Sequence, residues 1–214
     1  MTSPMPQTPQ RSEGRTSLRR TPSQRRSRER VERMLGSAAE IIAEKGSDAM
    51  RMSEVARLAG VSIGSLYQYF PDKSAIVRTL AERYNAEGRE CIAEALAQVE
   101  TMDALCEAFA RLVDTYYALF LAEPVIRDVR SATEADKALR DIELADSRAN
   151  GAVLAAALGR VRPGSDPDEL ATSAFLIMHL GEATMRLAIS LARPEGDALV
   201  AAYKRMALAE LRRN

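Results

Sequence analysis

The chain has 214 residues, enough for one large domain or two small ones, and 46% of them are apolar, which excludes a disordered chain. Its 30 basic and 30 acidic residues cancel, and no run approaches the roughly 18 to 20 apolar residues of a membrane span. Two cysteines and one histidine do not make the usual zinc spacings, so neither a metal nor another cofactor is expected.

The charge is unevenly distributed. Residues 1–30 hold eight arginines against two glutamates, a local charge of +6 that leaves −6 on the remainder. One end therefore attracts nucleic acid, and the body behind it is acidic. This arginine-rich start has no apolar signal core, so a cytoplasmic protein is expected. Residues 1–26 hold Pro4, Pro6, Pro9 and Pro22 among Ser, Thr, Gln and Arg, and read as a disordered basic arm. Such an arm is either a tether that binds phosphates or a solvated tail.

From Ser27 the pattern becomes helical. Val31, Met34, Leu35, Ala38, Ala39 and Ile42 form one apolar stripe, which Gly46 ends. The stretch Arg51 to Lys73, RMSEVARLAGVSIGSLYQYFPDK, then reads as two short helices hinged at Gly60. Val55, Ala56 and Ala59 face inward on the first, Val61 plugs the junction, and Ser62 caps the second. Within the second, Leu66 and Phe70 point inward, leaving Ile63, Gly64, Ser65, Tyr67, Gln68 and Tyr69 mainly on the outer surface. That is a helix-turn-helix, and residues 27–73 form the expected DNA-binding domain. Ser62, Ile63, Gly64 and Ser65 lie closest to base edges; Gln68 is suited to adenine and Ile63 to a thymine methyl.

Through AGVSIGSLYQYFPDK and the preceding amphipathic helix, residues 28 to 85 resemble the TetR family of bacterial transcriptional regulators. The resemblance implies phosphate contacts from Tyr67, Tyr69 and Lys73. It also implies a carboxy-terminal domain that holds a small-molecule effector and pairs with a second copy, here residues 74–214. The chain departs from the family at the first helix of the motif, where Arg51 and Met52 replace the usual Ser or Thr cap. The Arg51 guanidinium or Ser53 is left to supply that cap or phosphate contact.

A fourth helix follows Pro71, with Ile76, Leu80 and Tyr84 inward. Beyond it, helices are expected at about 102–122, 124–131, 133–160, 167–192 and 196–212, without strand alternation, so the fold class is all-α. Phe109, Leu112, Val113, Tyr116, Tyr117 and Phe120 form an aromatic stripe, and Phe175, Met178, His179, Glu182, Met185 and Arg186 lie on a second apolar helix. These residues either line an effector pocket or are core packing. His179, Glu182 and Arg186 share a face, suited to a ligand's polar end or to a polar seam between protomers. Cys91 and Cys106 flank a turn near 98–101, and a thiol pair there is the remaining candidate device. No nucleophile motif or phosphate-cradling glycine loop is present, so no catalytic residue is assigned.

The expected function is a ligand-responsive repressor, a homodimer on a palindromic operator released by its effector. The alternative is an architectural or protein-interaction DNA-binding factor with no effector.

Overall fold

The computed structural model describes residues 22–135 and 137–213; for 22, 23, 131, 133–135 and 137–139 it describes backbone only. Among the described residues there are nine helices and no strand. They are α1 (Pro22–Lys45), α2 (Met52–Leu58), α3 (Ile63–Tyr69), α4 (Lys73–Leu96), α5 (Met102–Ala122), α6 (Pro124–Ala135), α7 (Lys137–Val161), α8 (Pro167–Ile189) and α9 (Arg193–Leu211).

Sequence chemistry explains the helix starts. Asp72, Thr101 and Asp166 each accept a backbone N–H from the first turn that follows, satisfying a donor the helix itself leaves unpaired. Helix α1 is described from Pro22, so residues 22–26 are helical rather than part of an arm, and the rest of the expected arm lies outside the described residues. Proline at a helix start is compatible because its missing N–H would have had no partner. The same reasoning corrects the expected start of the last helix at about 196: α9 begins at Arg193, with Pro194 inside its first turn. Residue 132, where a break was expected, is helical; α6 is described to Ala135 and α7 from Lys137.

Two apolar cores result. The first joins α1, α2, α3 and the start of α4 around Met34, Leu35, Val55, Leu66, Ile76 and Leu80. The second joins the end of α4 to α5 through α9, around Leu105, Phe109, Phe120, Leu154, Leu158 and Met185. Helix α4 contributes to both, and Tyr84 and Val125 pack against both. Val129 of α6 is fully buried in the first core, while Ile126, one turn earlier, belongs to the second. The head and body are thus joined by α4 and α6 through packed side chains.

Helices α7 and α8 approach closely at Gly151. A Cβ there would lie 2.8 Å from the Phe175 Cα, so only glycine permits the contact.

Candidate DNA interface and effector cavity

The turn between α2 and α3 depends on Gly60, whose φ of +66° lies in the left-handed region that L side chains avoid. The Val61 amide then donates to the Ala56 carbonyl at 3.0 Å, and the chain reverses into α3. Ser62 caps α3 through its hydroxyl, which accepts the Ser65 amide at 3.1 Å. Leu66 and Phe70 are buried as expected.

The outward face of α3 divides into two groups. Ser62, Ile63, Gly64, Tyr67 and Gln68 are exposed and free to meet DNA, Ile63 at 43% and Tyr67 at 50% exposure. Ser65 and Tyr69 turn back toward α1. The Arg30 guanidinium donates to the Ser65 hydroxyl at 3.4 Å, and the Tyr69 and Ser27 hydroxyls lie 2.9 Å apart. These two contacts tie α1 to α3 and place Arg30 beside the second helix of the motif. Arg51 is exposed and caps α2 with its backbone conformation alone, without a side-chain hydrogen bond.

Lys73 begins α4, but its ammonium reaches the loop after α1, donating to the Ser47 carbonyl at 3.4 Å and the Asp48 carbonyl at 3.2 Å. On the other side of that loop the Ser47 amide donates to the Asp128 carboxylate of α6 at 2.7 Å. Asp128 was not legible in sequence. Nothing in the α6 pattern distinguishes it from a solvated charge.

Gln68 faces outward from α3 with no competing partner among the described residues, which makes it the sharpest test of base reading. The expected result of Gln68→Ala is a loss of about 1–3 kcal/mol for the preferred site and relaxed preference at a single base position. Competition binding against single-base variants of the site would measure it. Uniform weakening across all variants would assign Gln68 to the backbone instead.

Behind the head, α4, α5, α6, α7, α8 and α9 line a partly open cavity of about 230 Å³. Its wall is mainly apolar, with Ile92, Leu96, Phe109, Leu112, Ile126 and Met178 among the lining residues. Of the twelve residues on the two stripes, Phe109, Leu112, Val113, Tyr116, Met178, Glu182 and Met185 line it. The other five do not. Phe120 is buried core, 4.8 Å edge-on from the Tyr116 ring, and the Tyr117 hydroxyl donates to Asp197 of α9 at 3.0 Å. Phe175 lies under the Arg148 guanidinium at 4.6 Å, and His179 Nδ1 is 3.2 Å from the Ser147 hydroxyl. Arg186 lies behind the wall, 3.6 Å from Glu143 and 3.4 Å from Glu182. The physical reason is helical phase: successive residues of one stripe turn away by about 100° each, so a stripe wide enough for core exceeds the width of a cavity.

One end of the cavity is polar, and most of that chemistry was missed in sequence. Arg130 of α6 meets Glu182 at 3.0 Å, and Arg89 of α4 meets Asp146 of α7 at 2.8 Å. Burial works to lower the Arg130 guanidinium, but its acidic neighbours, Tyr116 and Glu182 first, overcome this and hold it above its ordinary value. Burial pushes the Asp146 carboxyl up, against the opposing pull of Arg89. Burial also raises the Tyr116 phenol, and the adjacent Glu182 charge adds to the shift. Tyr116 is therefore protonated and donates to Glu182 at 3.1 Å. Asn85, Asp146, Ser147 and Asn150 complete this end. The available signal was a polar residue at an apolar-stripe position: Asn85 continues the buried series Ile76, Leu80, Ala81 along α4.

Cys91 is exposed at the cavity's edge, whereas Cys106 is buried, and both are free thiols. Burial raises the Cys106 thiol above its ordinary value, the opposite of what thiolate chemistry requires. Among the described residues no cluster of three or more potential ligands holds a metal, and no helix is long and apolar enough to cross a membrane.

A helix-turn-helix head on a helical body with an internal cavity defines a class of bacterial regulators, and comparison with known proteins agrees. Residues 35–80 match the family model described as bacterial regulatory proteins, tetR family. Residues 103–214 match the tetracyclin repressor-like C-terminal domain. The chain belongs to the TetR family of transcriptional regulators. Over 53 residues it is 38% identical to the uncharacterized HTH-type transcriptional regulator YvdT of Bacillus subtilis (strain 168), covering 25% of this chain and 27% of that protein. A TetR-family transcriptional regulator from Streptomyces coelicolor shares 26% identity at a TM-score of 0.66, over 86% of this chain and 97% of that one. The fold is also that of FadR from Bacillus subtilis, solved in complex with stearoyl-CoA, at 20% identity and a TM-score of 0.60 over 85% of this chain and 97% of that one.

Proposed function

We propose that this regulator is a homodimeric repressor that binds a palindromic operator and is released when a small molecule fills the cavity. The observation that carries this reading is the shared wall. Ile126 and Arg130 of α6 line the cavity, while Val129 of the same helix is buried in the DNA-reading core and Asp128 holds the loop after α1. A ligand that shifts α6 therefore changes contacts made by the head. FadR, whose fold the body shares, is described in complex with stearoyl-CoA, which supports a small-molecule role for this architecture. The dimer reading rests on α8 and α9, where Leu176, Leu180, Leu187 and Met206 are 42–68% exposed. Such an apolar strip on helices matches a partner surface.

Release requires that the effector prefer the DNA-incompetent form. A preference of about a hundredfold, about 2.7 kcal/mol, makes a clear switch. Two measurements test the proposal in order. Selection from random duplex DNA with full-length protein is expected to enrich an inverted repeat, and no enriched motif would favour the effector-independent coating factor instead. With that operator in hand, operator DNA should weaken effector binding by the same factor by which effector weakens operator binding. Independence of the two would refute the switch.

A further inference from the structure

Helix α1 carries its positive charge unevenly. Arg26, Arg30 and Arg33 stand four and three residues apart, so at 100° per residue they fall within about 60° of one another and form a ridge about 10 Å long. Two contacts fix where the ridge stands. The Arg30 guanidinium donates to the Ser65 hydroxyl of α3 at 3.4 Å, and the hydroxyl of Ser27, next to Arg26, lies 2.9 Å from that of Tyr69. Ser65 and Tyr69 occupy one flank of α3, between the exposed Gln68 and the buried Leu66. The ridge therefore stands beside the flank of the helix that reads DNA.

Its charge is uncompensated. Glu29 pairs with Arg25 at 3.3 Å, and both oxygens of Glu32 accept from Arg83 of α4 at 2.5 and 2.6 Å, so the two carboxylates nearest in sequence are already engaged. Arg30 keeps only the Ser65 hydroxyl and Arg33 only the Glu29 carbonyl at 3.5 Å, while Arg26 has no partner among the described residues. Arg26 and Arg33 are exposed. Such a surface favours a polyanion. A major groove is about 12 Å wide and a helix with its side chains about 10–12 Å across, so a group at the flank of a helix in the groove meets the groove's wall, which is phosphate. Guanidinium groups pair strongly with phosphate, and such contacts carry no base information.

We infer that Arg26, Arg30 and Arg33 form a second DNA-binding surface, a helical ridge that grips the phosphate strand beside the groove held by α3 and adds salt-sensitive affinity without base preference. The inference rests on the DNA-reading role of α3, and on neither the effector nor the residues that precede α1.

Two double variants of the full-length protein test it. Arg26→Gln with Arg33→Gln strips the exposed part of the ridge and spares Arg30, which also touches α3. Arg25→Gln with Arg28→Gln removes the same charge from the same helix, at positions roughly 140° or more around it from Arg30. Both pairs are exposed and glutamine is a good helix former, so the helical signal of both variants should match the wild type. Affinity is measured between about 50 and 200 mM salt for the operator selected from random DNA and for a duplex of arbitrary sequence. In the ridge variant the slope of log affinity against log salt should fall by about 0.9 for each lost contact, about two for each bound head, on both duplexes and with base preference unchanged. The other pair should cost less than half as much. Ethylation of single operator phosphates should reveal positions that weaken the wild type but not the ridge variant. Equal losses in the two variants would reduce the ridge to general charge attraction and overturn the inference. An unchanged slope in the ridge variant, or no phosphate that tells it from the wild type, would do the same. A selection that enriches no site would sink the operator reading instead, with the ridge still scored by the salt slope on the arbitrary duplex.

Discussion

Replacing Leu180 and Met206 together with aspartate is expected to leave the protein folded, monomeric and without measurable operator affinity at concentrations where the wild type is saturated. Leu180 is 42% and Met206 68% exposed, so neither side chain supports this chain's own core. Leu176, Leu180 and Leu187 recur at helical spacing on α8, and Thr184 on the same helix donates back to the Leu180 carbonyl at 2.7 Å, which keeps its hydroxyl from interrupting the strip. At a twofold interface each substitution occurs twice, so four unpaired carboxylates would be desolvated, at several kcal/mol for each burial. That exceeds what an interface of ordinary size retains as net affinity. Operator binding falls with it because a single head contacts only one half-site. Sedimentation with an operator shift assay measures both. A variant that remains dimeric would move the interface elsewhere, and one that loses its helical signal would show that these residues serve the fold instead.

How much of this was legible in sequence depends on the range of the interaction. The reading head was legible because its determinants are local: Gly60 for the left-handed turn, Ser62 for the cap, and Leu66 with Phe70 for the inward face all act within about ten residues of one another. The order of helices was legible for the same reason, apart from helix ends where Pro22 and Pro194 stand inside first turns. The cavity was legible only in part. An aromatic stripe marks a buried face but not which members of it border empty space, so Tyr116 and Phe109 reached the wall while Phe120 and Tyr117 packed elsewhere. The polar end was hidden because its pairs are distant in sequence. Arg89 with Asp146 and Arg130 with Glu182 join residues more than fifty positions apart, and each alone reads as a solvated charge. Likewise, the contacts of Tyr69 with Ser27 and of Lys73 with the Ser47 and Asp48 carbonyls join residues at least 25 positions apart and leave no local sign in the sequence.

The Arg130–Glu182 pair carries the second large effect. Both side chains are nearly buried, at 5% and 12% exposure, so Arg130→Met would leave Glu182 with the Tyr116 hydroxyl at 3.1 Å and Arg186 at 3.4 Å but without its nearest cation. Removing one partner of a buried pair is expected to cost about 3–5 kcal/mol. The double variant Arg130→Met, Glu182→Met should recover more than half of that loss. It removes both charges together, replaces them with flexible apolar groups, and leaves Arg186 its contact with Glu143. Recovery would be incomplete because Tyr116 loses the acceptor of its hydroxyl. Urea unfolding at one fixed protein concentration measures the series, because the stability of any self-associating protein depends on its concentration. A single variant costing under about 1 kcal/mol, or a double variant less stable than the single, would contradict a desolvated pair. The consequence reaches function. Arg130 ties α6 to α8, and α6 also holds the loop of the reading head through Asp128. A double variant that regains stability while losing effector response would therefore separate the pair's part in folding from its part in joining cavity to head.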